Sequence, residues 1–460
     1  MMRRSLALAA TALIFFGIQG CSTTNNQQKE QAPVKIETTV QEDSAAFGEK
    51  DPQSYKADLK LMVHSTGQPE YMIKKFNEIY PNINIELITV PSAEQQERIM
   101  TMVNSNEDVA DMFTCRTQFV KAIVNSDQYY MDLSAEPFSV NEWVNQIEDY
   151  VVGVGTDADG SLRALSWQCP VGGIFYRRSM AKEYFGTDDP TEISKLFASF
   201  DSLLEAARTV KDKSNGEVYF MADAAQDLNF LTMSDAGGFL EGNKLNTNDK
   251  VIDYFNLTKT MYDEELAAKL FKDDTTSQAM MAQNKIFAVA KPTWGLNYNI
   301  MPAVPDQSGD WALAAGPAPY TAGGTYIGIS AATKYPEECY LFLKFILTNE
   351  EFVYGYATEF GDYVSNKAIQ KKVGEMSSEE AAELNLDIFN FLGGQNAYAY
   401  WNSELGKGVD SSVFSPYDEA FQGYMQSTVH AYASGTITLE EALKQYRSDC
   451  KNFAPSIETE

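Results

Sequence analysis

Between residues 58 and 113 the hydrophobic period switches back and forth between two and 3.6, and this limits the fold more than anything else in the chain. Asp58 to His64 alternates polar and apolar residues, as a strand with one buried face does. Glu70 to Tyr80 then sets Met72, Ile73, Phe76 and Ile79 at helical spacing, and Pro81 ends the run. Ile83 to Val90 reads as a second strand, Ala93 to Asn104 as a second helix, and Val109 to Phe113 as a third strand. Strands alternating with helices predict an α/β fold whose sheet is mainly parallel and covered on both faces. Ligands of such sheets lie beyond the carboxyl ends of the strands. That places His64, with Ser65 and Thr66, and Arg116, behind Thr114 and Cys115, at the rim of a cleft. Arg116 can grip hydroxyls through its fork of donors, or face solvent.

The first twenty residues carry a different signal. Met1-Met2-Arg3-Arg4 precedes an apolar run from Leu6 to Ile18. Two cations before about a dozen apolar residues predict an export signal, shorter than the roughly 20 residues of a spanning helix. The run ends at Ile18-Gln19-Gly20-Cys21, which resembles a bacterial lipobox. Cys21 is therefore the expected lipidation site, anchoring the chain at the cell surface in the outer leaflet of the cytoplasmic membrane. Residues 21–56 are polar and without period, so a flexible tether is expected there.

The remaining body, about 400 residues, exceeds what one hydrophobic core usually supports, so two lobes are expected. A formal net charge of −28 argues against nucleic acid and against an anionic membrane surface as partners. Besides Cys21 the cysteines are Cys115, Cys169, Cys339 and Cys450, with no CxxC among them. Export permits a bridge, and Cys115 and Cys169 both fall near the expected cleft. Two histidines cannot build a His-rich metal site, so neither metal nor cofactor is expected. No nucleophile elbow or phosphate loop is present, which speaks against an enzyme.

Further along, Gly160 to Pro170 and Gly172 to Tyr176 form a strand, a break and a second strand. Ile286 to Ala290 is an apolar strand ending at Trp294-Gly295. Trp311 to Pro317 and Gly323 to Ile329 follow, then an apolar helix from Pro336 to Leu347 and a mostly helical end. In this order the segments resemble family 1 extracellular solute-binding proteins, the sugar-importer branch that includes maltodextrin-binding proteins. Tyr80-Pro81-Asn82-Ile83-Asn84-Ile85-Glu86 is similar to that family's YPNIKVE. Asp108 to Phe113 resembles its PDVF strand, with Ala110 in place of the proline. Gly160 to Pro170 resembles its DGKxYALP crossing, Phe175-Tyr176-Arg177-Arg178 its LYYNK, and Thr436 to Leu443 its ITLEEAL ending. Residues 372–415 have no counterpart in the family pattern.

The resemblance implies a two-lobed periplasmic-binding-protein type II fold with a hinge and an interlobe cleft. Lobe one would hold residues 57–166 and 294–333, and lobe two 167–293 and 334–460. It implies a monomer that captures a carbohydrate and delivers it to the permease subunits of an ABC-type importer, and through them to an ATPase. A sugar needs aromatic rings for its C–H faces and paired polar groups for its hydroxyls. Trp294 at the second crossing and Trp167 on the first are the expected stacking rings, with Tyr363 behind them; each could instead be a core ring. Asp223 and Asp227 flank a lobe-two loop as candidate hydroxyl partners, and Gly324 would allow close ligand approach. The alternatives are the same clamp holding a peptide or polyamine, a surface adhesin or sensor partner, or a surface glycan-active enzyme using a carboxylate pair.

Overall fold

The structure, a computed structural model, describes residues 47–459 except Asn385 and residues 406–409. The expected export signal and Cys21, the expected lipidation site, lie outside the described residues. So does the tether up to residue 46. Its last ten residues are not free: Phe47 packs edge-on against Phe138 at 5.4 Å, and Lys50 pairs with Glu337 at 2.6 Å.

Among the described residues ten strands occur in chain order: β1 Ala57–Val63, β2 Ile83–Thr89, β3 Met112–Arg116, β4 Leu165–Ser166, β5 Gly172–Arg177, β6 Leu240–Glu241, β7 Lys244–Leu245, β8 Ala288–Pro292, β9 Trp311–Ala314 and β10 Thr325–Ile329. Lobe one is built on a five-stranded sheet of order β2-β1-β3-β10-β4, and lobe two on a three-stranded sheet of order β8-β5-β9. β1 runs parallel to β2 and β3, with Ala57 opposite Ile83 and Leu61 opposite Met112. This is the βαβ layout that the period switches predict. β10 runs antiparallel to β3 and β4, and the lobe-two sheet is antiparallel throughout. Parallel neighbours need a crossover helix in the same layer. β10 arrives instead from a long excursion through the other lobe, so nothing holds it parallel, and β5 pairs antiparallel with both β8 and β9.

β3 begins three residues later than its sequence pattern suggests, so Thr114, Cys115 and Arg116 lie within it. The pairing also distributes the chain differently from the expected segments. β9 joins the lobe-two sheet, with Leu313 opposite Phe175. The helix Pro336–Thr348 packs on lobe one, where Phe342 and Phe345 meet Phe76 at 5.3 and 5.6 Å. Phe342 is fully buried there, so this apolar helix covers the first sheet.

The lobe-two sheet is buried on both faces. Ile174 and Tyr176 belong to the core formed with helices Ala224–Ala236, Asp249–Asp263 and Asp418–Ala433, while Phe175 between them faces the lobe-one side. The period of two sends alternate residues to opposite cores. The last helix, Leu439–Phe453, starts on a capping box between Thr438 and Glu441. Cys115, Cys169, Cys339 and Cys450 are all buried free thiols, so Cys115 and Cys169 do not pair.

Candidate ligand cleft

A cleft opens between the two lobes. Lobe one contributes Thr117 and Gln118, which open the helix Thr117–Val124 at the carboxyl end of β3. Lobe two contributes Asn229, Phe230, Met233 and Ser234 from the helix Ala224–Ala236, with Phe239 just beyond its end. Thr321, Ala322 and Gly323 form the floor, and Asp410, Val413, Phe414, Asp418 and Gln422 close the far side.

Aromatic rings and unspent polar atoms meet here. The Phe230 ring stacks on Tyr320 at 5.9 Å with 9° between planes, which presents a flat apolar wall. Tyr320 in turn lies against Gly172, where a Cβ would fall 1.9 Å from the phenol Cζ. Only glycine leaves room for that ring. Asn229 is fully buried, yet its Nδ2 has no hydrogen-bond partner, and its Oδ1 accepts weakly from Gln422 Nε2 at 3.4 Å. Gln118 Oε1 is likewise buried without a donor. Buried amides are ordinarily satisfied, so this donor and this acceptor, from opposite lobes, are groups a ligand can complete. Burial pushes the Asp418 carboxyl up to about 7, although Ser415 donates to it through both its backbone N–H and its hydroxyl. Among the described residues no lysine or arginine lines the cleft.

None of the expected site residues is among those that line this cleft, though Arg116, Trp294 and Gly324 adjoin lining residues. Arg116 immediately precedes Thr117, but its guanidinium is engaged by Glu419 and lies over the Phe119 ring at 5.7 Å, while its Nε has no partner. His64 is half-buried near it; burial, and then the Arg116 charge, lower its pKa, and its Nδ1 is unpartnered. Trp294 is half-buried and donates from Nε1 to the Ala322 carbonyl at 2.9 Å, so its indole braces the cleft floor. Gly324 adopts φ +95°, and a Cβ there would stand 2.9 Å from Pro170 Cγ and 3.1 Å from Thr117 Oγ1.

Four expected residues stand away from the cleft. Trp167 is buried at the hinge, donating to the Tyr356 hydroxyl at 3.0 Å. Tyr363 is buried beside a second cavity lined by Tyr150, Cys169 and Trp401, and its hydroxyl donates to Asn402 Oδ1 at 2.7 Å. Asp223 caps the helix Ala224–Ala236, accepting from the backbone of Gln226 at 3.0 Å and of Lys272 at 2.9 Å. Asp227, on the same helix as Asn229, faces Lys291 at 3.5 Å, and burial raises its pKa to about 6. The cleft residues that sequence reasoning missed, Gln118, Asn229 and Phe230, carry one signal. Gln118 lies two residues past the rim arginine, and the other two lie within three residues of Asp227.

With this geometry in view, the comparisons agree. Residues 65–351 match the family model described as bacterial extracellular solute-binding protein, and the chain belongs to that family. No curated protein matches. Among solved structures, an extracellular solute-binding protein family 1 member is similar at TM-score 0.72 and 16% identity, covering 86% of this chain and 99% of its own. The sugar-binding protein MalE of Xanthomonas citri is similar at TM-score 0.69 and 12% identity, covering 87% and 98%. The galacto-N-biose-/lacto-N-biose I-binding protein of Bifidobacterium longum, solved with lacto-N-biose, is similar at TM-score 0.67 and 16% identity, covering 88% and 99%. At these identities the likeness is one of fold. Among the described residues no helix is long and apolar enough to cross a membrane, and no group of three potential metal ligands occurs.

Proposed function

We propose that this chain is a lipid-anchored, non-catalytic binding protein that captures an uncharged carbohydrate and hands it to the permease of an ABC-type importer. The observation that carries the reading is the interlobe cleft. Flat rings at Phe230, Phe239 and Phe414 can take sugar C–H faces, and unspent amide atoms from both lobes can take hydroxyls. A ligand that satisfies Gln118 and Asn229 together binds the closed form better than the open one, and so shifts the population towards closure. Structural neighbours that bind sugars, such as MalE of Xanthomonas citri and the lacto-N-biose-binding protein of Bifidobacterium longum, support the same ligand class. Cys21 would hold the protein at the cell surface, within reach of the permease.

A thermal-shift screen of the purified chain tests this, using neutral mono- and oligosaccharides with peptides and polyamines as controls. A ligand at a hundredfold excess over its Kd stabilises by about 2.7 kcal/mol. Shifts confined to neutral sugars support the reading. Shifts with polyamines or peptides alone keep the clamp and replace the cargo.

A further inference from the structure

At the hinge, away from the cleft, lies a carboxylate that the capture of ligand does not itself use. Asp362 is 4% exposed, and its Oδ2 accepts from three side chains. These are Gln168 Nε2 at 2.5 Å, the Tyr356 hydroxyl at 2.9 Å and Gln68 Nε2 at 3.3 Å. Each donor comes from a different part of the chain. Gln168 belongs to the first crossing, Tyr356 to the helix Glu350–Phe360, and Gln68 to the first turn of the helix Gly67–Asn77, four residues past His64. Asp362 itself starts the late segment that runs back beside the first crossing. Cys169 N donates to Tyr363 O at 2.7 Å, and Ser365 N donates to Trp167 O at 2.9 Å.

Among the described residues no cation joins the cluster. The groups facing the carboxylate are Gln68, Gln168 and Tyr356, and beyond them Tyr298, Tyr398 and Cys169, none of them charged at neutral pH. A buried carboxylate held by neutral donors alone is an expensive way to fill space, since an apolar side chain of the same size would pack there without a desolvation cost. Hydrogen bonds, unlike apolar contacts, fix direction as well as distance. Rotation at the hinge that moved the first crossing against the late segment would have to lengthen the Gln168 bond.

We propose that Asp362 is the positioning residue of the hinge, gathering Gln168, Gln68 and Tyr356 on one oxygen and so fixing the direction in which the first crossing leaves lobe one. The inference rests on the two-lobed clamp reading and deepens it, giving the clamp a defined resting angle. Burial raises the Asp362 pKa, so acidification protonates a carboxyl that here acts only as an acceptor. The hinge then loosens as pH falls.

The test needs no ligand, so a failed sugar screen leaves its outcome readable. Spin labels at Glu97→Cys on lobe one and Asp253→Cys on lobe two, both at exposed helical positions, report the interlobe distance by pulsed electron resonance. The expected result is a narrow distribution at pH 8 that broadens towards pH 4.5. In Asp362→Asn the distribution is broad throughout and its pH response is lost, with the far-ultraviolet dichroism unchanged. If Asp362→Asn does not fold, Gln168→Ala removes the first-crossing donor and should give the same broad distribution. Distributions that match the parent at every pH overturn the proposal.

Discussion

Arg116 and Glu419 form an ion pair that joins the lobes at the edge of the cleft: Arg116 ends β3 in lobe one, and Glu419 lies in the first turn of the helix Asp418–Ala433 in lobe two. Their neighbours Thr117, Gln118 and Asp418 line the cleft itself. Opening the lobes must part this pair, so it favours the closed form. Both side chains are partly exposed, at 24% and 41%, which limits the gain to about 1 kcal/mol or less. Glu419→Gln should weaken sugar affinity by up to about fivefold, mainly through faster release. Titrations at low and high salt check this: affinity of the parent should fall with salt, and affinity of the variant should not. Equal salt slopes would assign Arg116 to another role.

Gly324 gives a prediction about stability rather than binding. Its φ of +95° suits glycine alone, and an added Cβ would press on Pro170 and Thr117. Gly324→Ala should lower stability by about 2 kcal/mol, read as a lower Tm. Gly67→Ala is the matched control, because a Cβ there meets nothing within 4 Å. Equal Tm values for the two variants would show that the floor can rearrange.

The contrast between these residues shows how far the sequence could be read. Period switches at Asp58–Phe113 identify βαβ order because burial on one face dictates them locally. The crossing at Gly160–Tyr176 is visible for the same reason. β9 and the helix Pro336–Thr348 look the same whichever lobe they cover, since an apolar strand or helix says only that it is buried. The cleft posed a harder problem. Trp294 and Arg116 stand out in the sequence because they lie at or just past strand ends, yet neither lines the cleft, whereas Asn229 and Phe230 sit mid-helix, in a run where most residues are buried and no periodic face stands out. Trp167 and Tyr363 show the converse: large rings near a crossing, which the structure uses to pack and brace the hinge.

Two buried carboxyls in lobe two set a pH dependence of folding. Burial raises Asp418 to about 7 and Asp227 to about 6, against 3.8 for the unperturbed group. A group with a raised folded-state pKa ionises more readily in the unfolded chain. Between pH about 4 and the folded pKa the unfolded state is therefore favoured as pH rises. Stability should decline from pH 4.5 to pH 7 and then level off, by an amount on the order of 3 kcal/mol for each fully buried group. Asp418→Asn should flatten the upper part of this decline, between about pH 6 and 7, and leave the Asp227 part in place. Melting curves at half-unit pH steps measure both; a parent Tm that rises over this range would contradict the burial of these carboxyls.

The cleft itself predicts a separation between two kinds of loss. Phe230→Ala removes a half-buried wall stacked on Tyr320, so it should cost both stability, by about 1 kcal/mol, and sugar binding. Gln118→Ala removes an acceptor that the fold leaves unused. It should leave the ligand-free Tm within about 0.5 kcal/mol of the parent and still reduce affinity for the sugar found in the screen by roughly tenfold, the worth of one lost hydrogen bond. The measurement is isothermal titration alongside a melt of the same preparation. Unchanged affinity in Gln118→Ala would place the ligand elsewhere on the lobe-one rim, with His64 and the free Nε of Arg116 as the next groups to test. A large drop in the ligand-free Tm would instead mean that the Gln118 amide already serves the fold, and that the unspent capacity of the cleft lies on the lobe-two side alone, at Asn229.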